Sequence, residues 1–263
     1  MSLAGDTALE PLGDGRWRGE VFERWFVERG PFGGFVSAML VRAAMAAVQD
    51  PKRLPRTLSV HFIDAPKAGP VEVAVTQERV GRSTTALSLR LEQDGTPVVL
   101  AIAGLARWRD GEAEWADASA PPAPAPEDCP PVHRADGMPR FVEQLAVRWV
   151  DGAMPGGGGA QGRNLAWLRP KEGGPLDALA VTALSDGWMP AALSKLGRLA
   201  IVPTFDLTIH FRAPLPATGD WLLAEYRTRF SAGGAWEEDG ELWTQDGALV
   251  AQSRQLAMMR ERR

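Results

Sequence analysis

The sequence has little cysteine, no excess of positive charge and no long apolar run. Its one cysteine, Cys129, cannot form an internal disulfide or a cluster of thiolate metal ligands. No set of His, Cys, Asp and Glu shows the spacing of metal ligands. Lys and Arg number 29 against 33 Asp and Glu, so the chain has no basic excess to neutralise the phosphates of a nucleic acid. We therefore expect a protein that binds no metal, no cofactor and no nucleic acid.

The lack of a long apolar run and of paired cysteines also bears on the cellular compartment of the protein. No stretch approaches about 18 uncharged apolar residues, so no membrane span is expected. Residues 1–30 carry scattered charges without a continuous apolar run, which is not the pattern of a secretory signal. With the single cysteine, this predicts a cytoplasmic protein. Apolar residues make up 45% and charged residues 24%, which is ordinary globular usage and excludes a wholly disordered chain.

A segment rich in proline and alanine divides the chain. Residues 110–131 read DGEAEWADASAPPAPAPEDCPP, which has no apolar period. Because proline has no backbone N–H, such a run cannot sustain a strand ladder. We interpret it as a linker and predict an N-terminal unit at 1–109, a linker at 110–135 and a C-terminal unit at 136–263.

The two units predict the same order of elements. In the first, a short hairpin precedes one helix, whose apolar face contains Phe35, Met39, Ala43 and Ala46. In the second, strands at 141–150 and 164–168 precede a helical stretch at 175–196 that is broken near Ser185. The strands expected after the helices lie at 57–63, 71–80, 84–93 and 98–108 in the first unit and at 204–211, 221–230, 235–244 and 249–258 in the second.

Matching residues show that this order is a repeat. Residues 58–62 read LSVHF and residues 207–211 read LTIHF, 149 positions later. The hairpin signal Gln-Asp-Gly at 93–95 returns at 245–247, 152 positions later. Offsets this similar indicate tandem copies of one fold. We predict an α+β architecture in which one long antiparallel sheet wraps two central helices.

The motifs resemble those of a known family. Ser185-Asp186, TFDLTIHFRAP from Thr204 and TQDGALVAQSRQLAMMR from Thr244 are similar to the C-terminal half of the double-hotdog acyl-CoA thioesterases of the TesB type. PFGGFVSAMLVRAA and SVHFIDAPKAGP are similar to the N-terminal half. The resemblance implies two tandem hotdog units and hydrolysis of acyl-CoA thioesters. It also implies association into a homo-oligomer, which is common in that family.

The resemblance also implies catalytic residues. In the family an Asp, a Thr or Ser, and a Gln of the C-terminal half hold the hydrolytic water, and by motif position these are Asp186, Thr204 and Gln255. The first unit has Gly34 where the second has Asp186, so one active site per chain is implied.

The residue types suit the chemistry, although two questions stay open. Desolvation would raise the pKa of Asp186 toward that of a useful base, but we expect Asp186 at a helix start, where the dipole would lower the pKa. Asp186 could alternatively be a nucleophile that forms a mixed anhydride. Read singly, Asp186 could be a helix cap and Thr204 a strand former, and the sequence does not show whether Gln255 faces inward.

Further residues are assigned by position. Gly33 and Gly34 open the first helix, so their backbone N–H groups are candidates for the oxyanion hole. Arg82 lies in a turn and is a candidate to meet a phosphate of CoA. Candidates to line an acyl tunnel are Phe32, Phe35, Trp188 and Met189.

Two other functions fit the same fold. A hotdog enoyl-CoA hydratase or dehydratase would use a His with an acid in the helix region, and neither predicted helix start carries a His. A non-catalytic module that binds acyl-CoA or an acyl carrier would show binding without release of free thiol.

Overall fold

The computed structural model describes residues 2–109, 111, 115–217 and 219–259. Its α-helices are α1 (Leu3–Asp6), α2 (Gly33–Val48), α3 (Ala178–Leu184) and α4 (Ala191–Lys195). Short 3-10 helices cover Glu23–Trp25, Pro126–Asp128 and Arg140–Gln144. The strands are β1 (Glu10–Gly13), β2 (Arg16–Val21), β3 (Arg53–Phe62), β4 (Gly69–Val80), β5 (Thr84–Gln93), β6 (Thr96–Arg107), β7 (Pro131–Val132), β8 (Leu145–Asp151), β9 (Gly162–Pro170), β10 (Thr204–Phe211), β11 (Leu222–Thr228), β12 (Ser231–Ala232), β13 (Ala235–Trp243) and β14 (Leu249–Met258).

The described strands form a single antiparallel sheet. Its order is β1-β2-β4-β5-β6-β3-β10-β14-β13-β11-β9-β8-β7, with β12 paired to β13. The two units meet where β3 pairs with β10, and there the Thr208 hydroxyl lies 3.0 Å from the Ser59 hydroxyl. The predicted architecture of one long antiparallel sheet around central helices is confirmed.

Helix α2 is buried along most of its length because its residues are apolar or small. Alanines and glycines dominate its sequence, which lets the helix lie close to the sheet and to α3. It ends at Gln49, which adopts a left-handed conformation with φ of 53°, just before Pro51. At about 1.5 Å per residue the helix is about 24 Å long, so its two ends face different parts of the molecule.

The second central helix is interrupted, as expected near Ser185. Asp177 caps the start of α3 by accepting hydrogen bonds from the backbone N–H groups of Leu179 and Ala180, each at 3.0 Å. The helix ends at Ser185, and α4 begins only after Pro190. Residues 186–190 form an irregular connection between the two helices, and the candidate acid lies in it.

One predicted strand is wrong in its first half. Residues 141–150 were expected to be extended, but a 3-10 helix covers Arg140–Gln144 and β8 starts at Leu145. A helical turn buries the adjacent apolar residues Phe141 and Val142 together, whereas a strand would direct one of them outward.

The end of the predicted linker lies on the sheet of the second unit. β7 pairs with β8, and Cys129 packs with Leu165 and Trp167 in a small apolar cluster. Residues 110 and 112–114 of the predicted linker lie outside the described residues. None of the described helices has the length and apolar character needed to cross a membrane.

Candidate active site

Asp186 lies at the end of α3, where its carboxylate is held by two donors. The Gly34 N–H of the first unit donates to Oδ2 at 2.9 Å, and the Gln255 amide Nε2 donates to Oδ1 at 3.2 Å. The expectation that Asp186 begins a helix is wrong, because the helix ends just before it. The helix start that faces Asp186 is that of α2, whose dipole favours a negative charge there.

Gln255 and Thr204 complete a continuous hydrogen-bonded group with Asp186. The Thr204 hydroxyl donates to Gln255 Oε1 at 2.9 Å. Gln255 is buried, with 4% of its surface exposed, whereas Asp186 and Thr204 are half-buried. The three side chains assigned by motif position therefore come together, with Gln255 on the inner side.

A β-bulge directs Thr204 inward. Leu207 and Ile209 of β10 face the core, so strict alternation would place Phe205 inside and Thr204 outside. The register of β10 against β14 shifts between Thr204 and Asp206, which reverses the phase. Phe205 is consequently 55% exposed, and the Thr204 hydroxyl reaches Gln255.

A fourth polar side chain, Glu238, was not predicted. It lies on β13 opposite Gln255, is only 3% exposed and accepts a 2.7 Å hydrogen bond from Gln255 Nε2. Its other oxygen accepts from the Ala191 N–H at 2.5 Å. We call Asp186, Thr204, Gln255 and Glu238 the polar cluster. Strand alternation in AWEEDGELW, in which Trp236 and Leu242 are inward-facing, was a signal that could have found Glu238.

Two further side chains fix the connection that carries Asp186. The Tyr226 hydroxyl donates to the Leu184 carbonyl and accepts from the Gly187 N–H at 3.2 Å. The Ser253 hydroxyl donates to the Ser185 carbonyl at 2.9 Å. These bonds satisfy backbone groups exposed by the end of α3. Sequence reasoning missed both residues, because neither the lone tyrosine nor this serine stands in a recognisable motif.

The pKa values of the two buried acids are displaced upward. Burial raises the pKa of Asp186 to about 7, although the hydrogen bonds from Gly34 and Gln255 oppose the rise. Burial also raises the pKa of Glu238 to about 8, and the negative charge of Asp186 adds to that rise. For Asp186, desolvation thus outweighs the two hydrogen bonds that favour the charged form.

The two glycines predicted for an oxyanion hole differ in availability. The N–H of Gly34 is engaged by Asp186. The N–H of Gly33 has no acceptor among the described residues, and its backbone lies beside the same carboxylate. The geometry leaves Gly33, rather than Gly34, with a free donor.

The predicted tunnel residues are all buried and fall into two groups. Phe32 stacks on Phe141 with ring centroids 4.6 Å apart, and Phe35 stacks on Trp25 at 4.9 Å. Trp188 and Met189 lie in the connection that carries Asp186 and pack into the same core. Their proximity to Asp186 agrees with a lining role, which stays a prediction.

Arg82 does not join the polar cluster. Its carbonyl lies 3.4 Å from the Arg53 guanidinium, which also pairs with Asp50 just beyond the C-terminal end of α2. Asp186 lies at the opposite end of that helix. The side chain of Arg82 is exposed, as is usual for an arginine in a turn.

The first unit has apolar residues in place of the cluster. Strand register pairs Leu207 with Gln255 and pairs its repeat counterpart Leu58 with Ala103. The same register places Leu87 where the second unit has Glu238. The bulge is repeated between Pro55 and Thr57, with buried Pro55 in the position of Thr204. The described residues therefore contain one polar cluster, in the second unit.

Comparison with known proteins assigns the family. A family model described as the acyl-CoA thioesterase C-terminal domain matches residues 126–259, and one described as the N-terminal domain matches residues 22–106. The chain belongs to the acyl-CoA thioesterase family. It is therefore a thioester hydrolase, and the resemblance seen in the motifs is confirmed.

Individual relatives agree in length and fold. An uncharacterized protein of Mycobacterium tuberculosis is 30% identical, covering 92% of this chain and 90% of its own. A solved hot dog fold protein of unknown function from Alicyclobacillus acidocaldarius has a TM-score of 0.90 at 30% identity, over 99% of this chain and 98% of its own. Acyl-CoA thioesterase II TesB2 from Mycobacterium marinum shares the fold, with a TM-score of 0.78 at 24% identity over 99% of each chain. This acyl-CoA thioesterase is a double hotdog, as expected.

The described residues contain no group of three or more His, Cys, Asp or Glu side chains placed to hold a metal ion. The chemistry available at the site is that of a carboxylate, a hydroxyl and an amide. That set can bind a water molecule and accept a proton from it.

Proposed function

We propose that the chain hydrolyses acyl-CoA thioesters to a free acid and CoA by means of a water molecule activated in the C-terminal hotdog. Asp186 is the general base, and Thr204 and Gln255 position the water. The observation that carries the proposal is the hydrogen-bonded group formed by these three side chains, with Asp186 and Thr204 accessible and Gln255 behind them.

The hydrogen-bond capacity of the group supports a defined orientation for the water. Both N–H groups of the Gln255 amide donate to carboxylates, and the Thr204 hydroxyl donates to Gln255. The side chains of Asp186, Thr204 and Gln255 therefore offer only acceptor positions to an incoming water. Such a water points both of its O–H bonds at the protein and its lone pairs toward the thioester carbonyl.

The proton balance follows from that orientation. As the water oxygen forms a bond to the carbonyl carbon, one proton passes to Asp186. Collapse of the tetrahedral intermediate breaks the C–S bond, and the proton on Asp186 passes to the departing CoA sulfur. A base with a pKa of about 7 suits both transfers near neutral pH, because it can take and return a proton.

The Gly33 N–H is our candidate donor to the oxyanion. It lies at the start of α2, where the dipole adds to the attraction for negative charge, and no described residue occupies it. Phe32, Trp188 and Met189 are proposed to border the acyl group, because they lie next to Gly33 and Asp186 in the chain.

Two alternatives have separate outcomes. If Asp186 were a nucleophile that forms a mixed anhydride, attack of oxygen-18 water on the Asp186 carbonyl carbon would release the acid and leave label in the carboxylate of the enzyme. Direct attack of water on the thioester cannot label the enzyme. A hydratase of this fold would need a histidine at the site. All three histidines of the chain are exposed, and the hydrogen bonds to the Asp186 carboxylate come from Gly34 and Gln255.

The test is Asp186→Asn, assayed by release of free thiol from a panel of acyl-CoA substrates. Loss of the base predicts a fall in turnover of about 100-fold or more. Asp239→Asn is the matched control, since Asp239 lies on β13 next to Glu238 but pairs with surface arginines. Turnover of Asp186→Asn within about twofold of wild type would remove Asp186 from the mechanism.

The domain division, cellular location and oligomeric state belong to the same proposal. We also propose that the chain divides into units at 1–109 and 136–263 with a linker at 110–135. We further propose that it is cytoplasmic and associates into a homo-oligomer. Gel filtration with light scattering tests the last of these.

A further inference from the structure

Glu238 is a buried acid that the proposed chemistry does not use. It is more deeply buried than Asp186, and Gln255 lies between the two carboxylates. Among the described residues no Lys, Arg or His side chain pairs with it, and its hydrogen bonds come only from Gln255 and the Ala191 N–H. A buried carboxyl group without a charged partner costs the fold free energy, because it either loses the hydration of its charge or must take up a proton, as the raised pKa of Glu238 indicates. Its presence therefore requires an explanation beyond packing.

The first unit shows that the fold does not require this acid. In the equivalent strand position it has Leu87, fully buried, which packs beside Ala103 in the position of Gln255. The same strands and turns are formed around these apolar side chains. The Glu238–Gln255 pair therefore belongs to the site and not to the architecture.

The contacts indicate what Glu238 does. An amide side chain can turn by half a rotation and exchange its oxygen and its NH2 group. In the observed orientation each N–H of Gln255 meets one carboxylate, and Oε1 meets the Thr204 hydroxyl. With both acids ionised, the reversed orientation would bring Oε1 against two carboxylates and leave the Thr204 hydroxyl without its acceptor.

Asp186 alone cannot keep that orientation through the reaction. When Asp186 takes up a proton, its attraction for the Gln255 N–H weakens, because a hydrogen bond to an ionised group is stronger than one to a neutral group. Glu238 is out of reach of substrate and takes no part in that proton transfer, so its own hydrogen bond to the amide is unchanged during the step.

We propose that Glu238 is a positioning residue of the thioesterase site, which acts by holding the Gln255 amide so that Gln255 and Thr204 keep the water aligned. The inference rests on the proposed function. Glu238 touches neither substrate nor water, and its effect passes through Gln255.

The titratable groups around it are few. Asp186 faces Glu238 from the connection between α3 and α4, Tyr226 faces it from β11, and Glu237 neighbours it on β13. All three are acids, so none of them neutralises Glu238. Its placement depends on the hydrogen bonds to Gln255 and Ala191.

A double-mutant cycle tests the inference. Glu238→Leu copies the residue of the first unit and is made both in wild type and in Gln255→Ala. We expect kcat to fall about 10- to 100-fold in the wild-type background, with KM within about threefold. In Gln255→Ala, where there is no amide to hold, the further loss should be under about threefold. The double variant reproduces the Leu87–Ala103 pair that the fold already accommodates.

Glu225→Gln is the matched control for removing a buried acid. Glu225 is buried on β11, where it pairs with Arg163 and Arg227. We expect Glu225→Gln to reduce stability and leave kcat unchanged. Equal losses of kcat from Glu238→Leu in both backgrounds, or no loss in either, would overturn the inference.

The result that would refute the proposed function differs from the result that would refute the role of Glu238. If Asp186→Asn and Gln255→Ala both retain turnover, the site itself is misassigned. If both lose turnover while Glu238→Leu does not, only the role of Glu238 is refuted.

Discussion

At the scale of single residues, the site depends on Gln255. Its amide connects a half-buried acid, a half-buried hydroxyl and a fully buried acid, and it has no donor left over. A buried amide without partners would cost about 1–3 kcal/mol, so its complete satisfaction explains why an inward-facing Gln is tolerated. When Asp186 is ionised, the same bonds leave no N–H or O–H on the Gln255, Thr204 and Asp186 side chains that could compete for the lone pairs of a water.

The raised pKa of Asp186 predicts how stability varies with pH. Because the folded pKa of about 7 lies above the ordinary value of 3.8, the folded state holds more protons than the unfolded state between these values. Stability should therefore fall as pH rises through that window. Asp186→Asn should remove about 1.4 kcal/mol of the decline between pH 6 and pH 8.5.

Urea unfolding of wild type and Asp186→Asn at the two pH values measures this slope. Asp239→Asn is the control and should keep the wild-type slope, because Asp239 is not a member of the polar cluster. An unchanged slope in Asp186→Asn would show that Asp186 titrates in the ordinary range.

The sequence predicted those site residues that stand in a motif or follow strand alternation, and it did not predict contacts that depend on tertiary packing. Motif resemblance identified Asp186, Thr204 and Gln255, and the structure brings these three together. Glu238 was predictable from strand alternation. The N–H that binds Asp186 was not, because the contact with Gly34 spans 152 residues and depends on the packing of α2 against α3.

At the scale of secondary structure, the bulge in β10 is the decisive element. Without it Thr204 would face outward with the other even-numbered residues of the strand. Periodicity predicted the bounds of β10 and β14 correctly, and the Asp-Gly turns predicted two of the hairpins. It could not predict the bulge, since counting alternation assumes a regular ladder.

Asp206 is expected to stabilise this bulge. Its carboxylate accepts a 3.0 Å hydrogen bond from the Leu256 N–H of β14, close to the register shift. Asp206→Ala leaves that N–H without its partner and should lower kcat by about tenfold through misplacement of Thr204. Asp206→Asn retains an acceptor and should stay within about twofold of wild type. Steady-state thiol release compares the two, and equal activities would argue against a role for the bulge in positioning.

At the scale of the whole molecule, the site belongs to both units. The acid, hydroxyl and amide come from the second unit, while the backbone donor to Asp186 comes from the first unit. The pairing of β3 with β10 holds the units in one sheet next to this contact. Under the proposed function, a change in the first unit is therefore expected to impair the chemistry of the second.

Gly34→Ala tests this dependence. A Cβ at Gly34 would lie 2.5 Å from the Ala183 carbonyl oxygen, so α2 and α3 would have to separate and the bond to Asp186 would lengthen. We expect a fall in turnover of more than about tenfold and a loss of stability of about 1–3 kcal/mol. Gly197→Ala, at a position with open space around it, is the control. Normal turnover in Gly34→Ala would contradict the dependence.

The bulge shared by both units has a consequence for how such a chain arises. In the first unit it turns Pro55 inward, where no reactive group is present. A bulge that turns a polar side chain inward in one copy and a proline inward in the other is expected if a duplicated ancestor already had the bent strand. Divergence then needed to change only a few inward-facing side chains, so that one copy has the polar cluster and the other has apolar residues in its place.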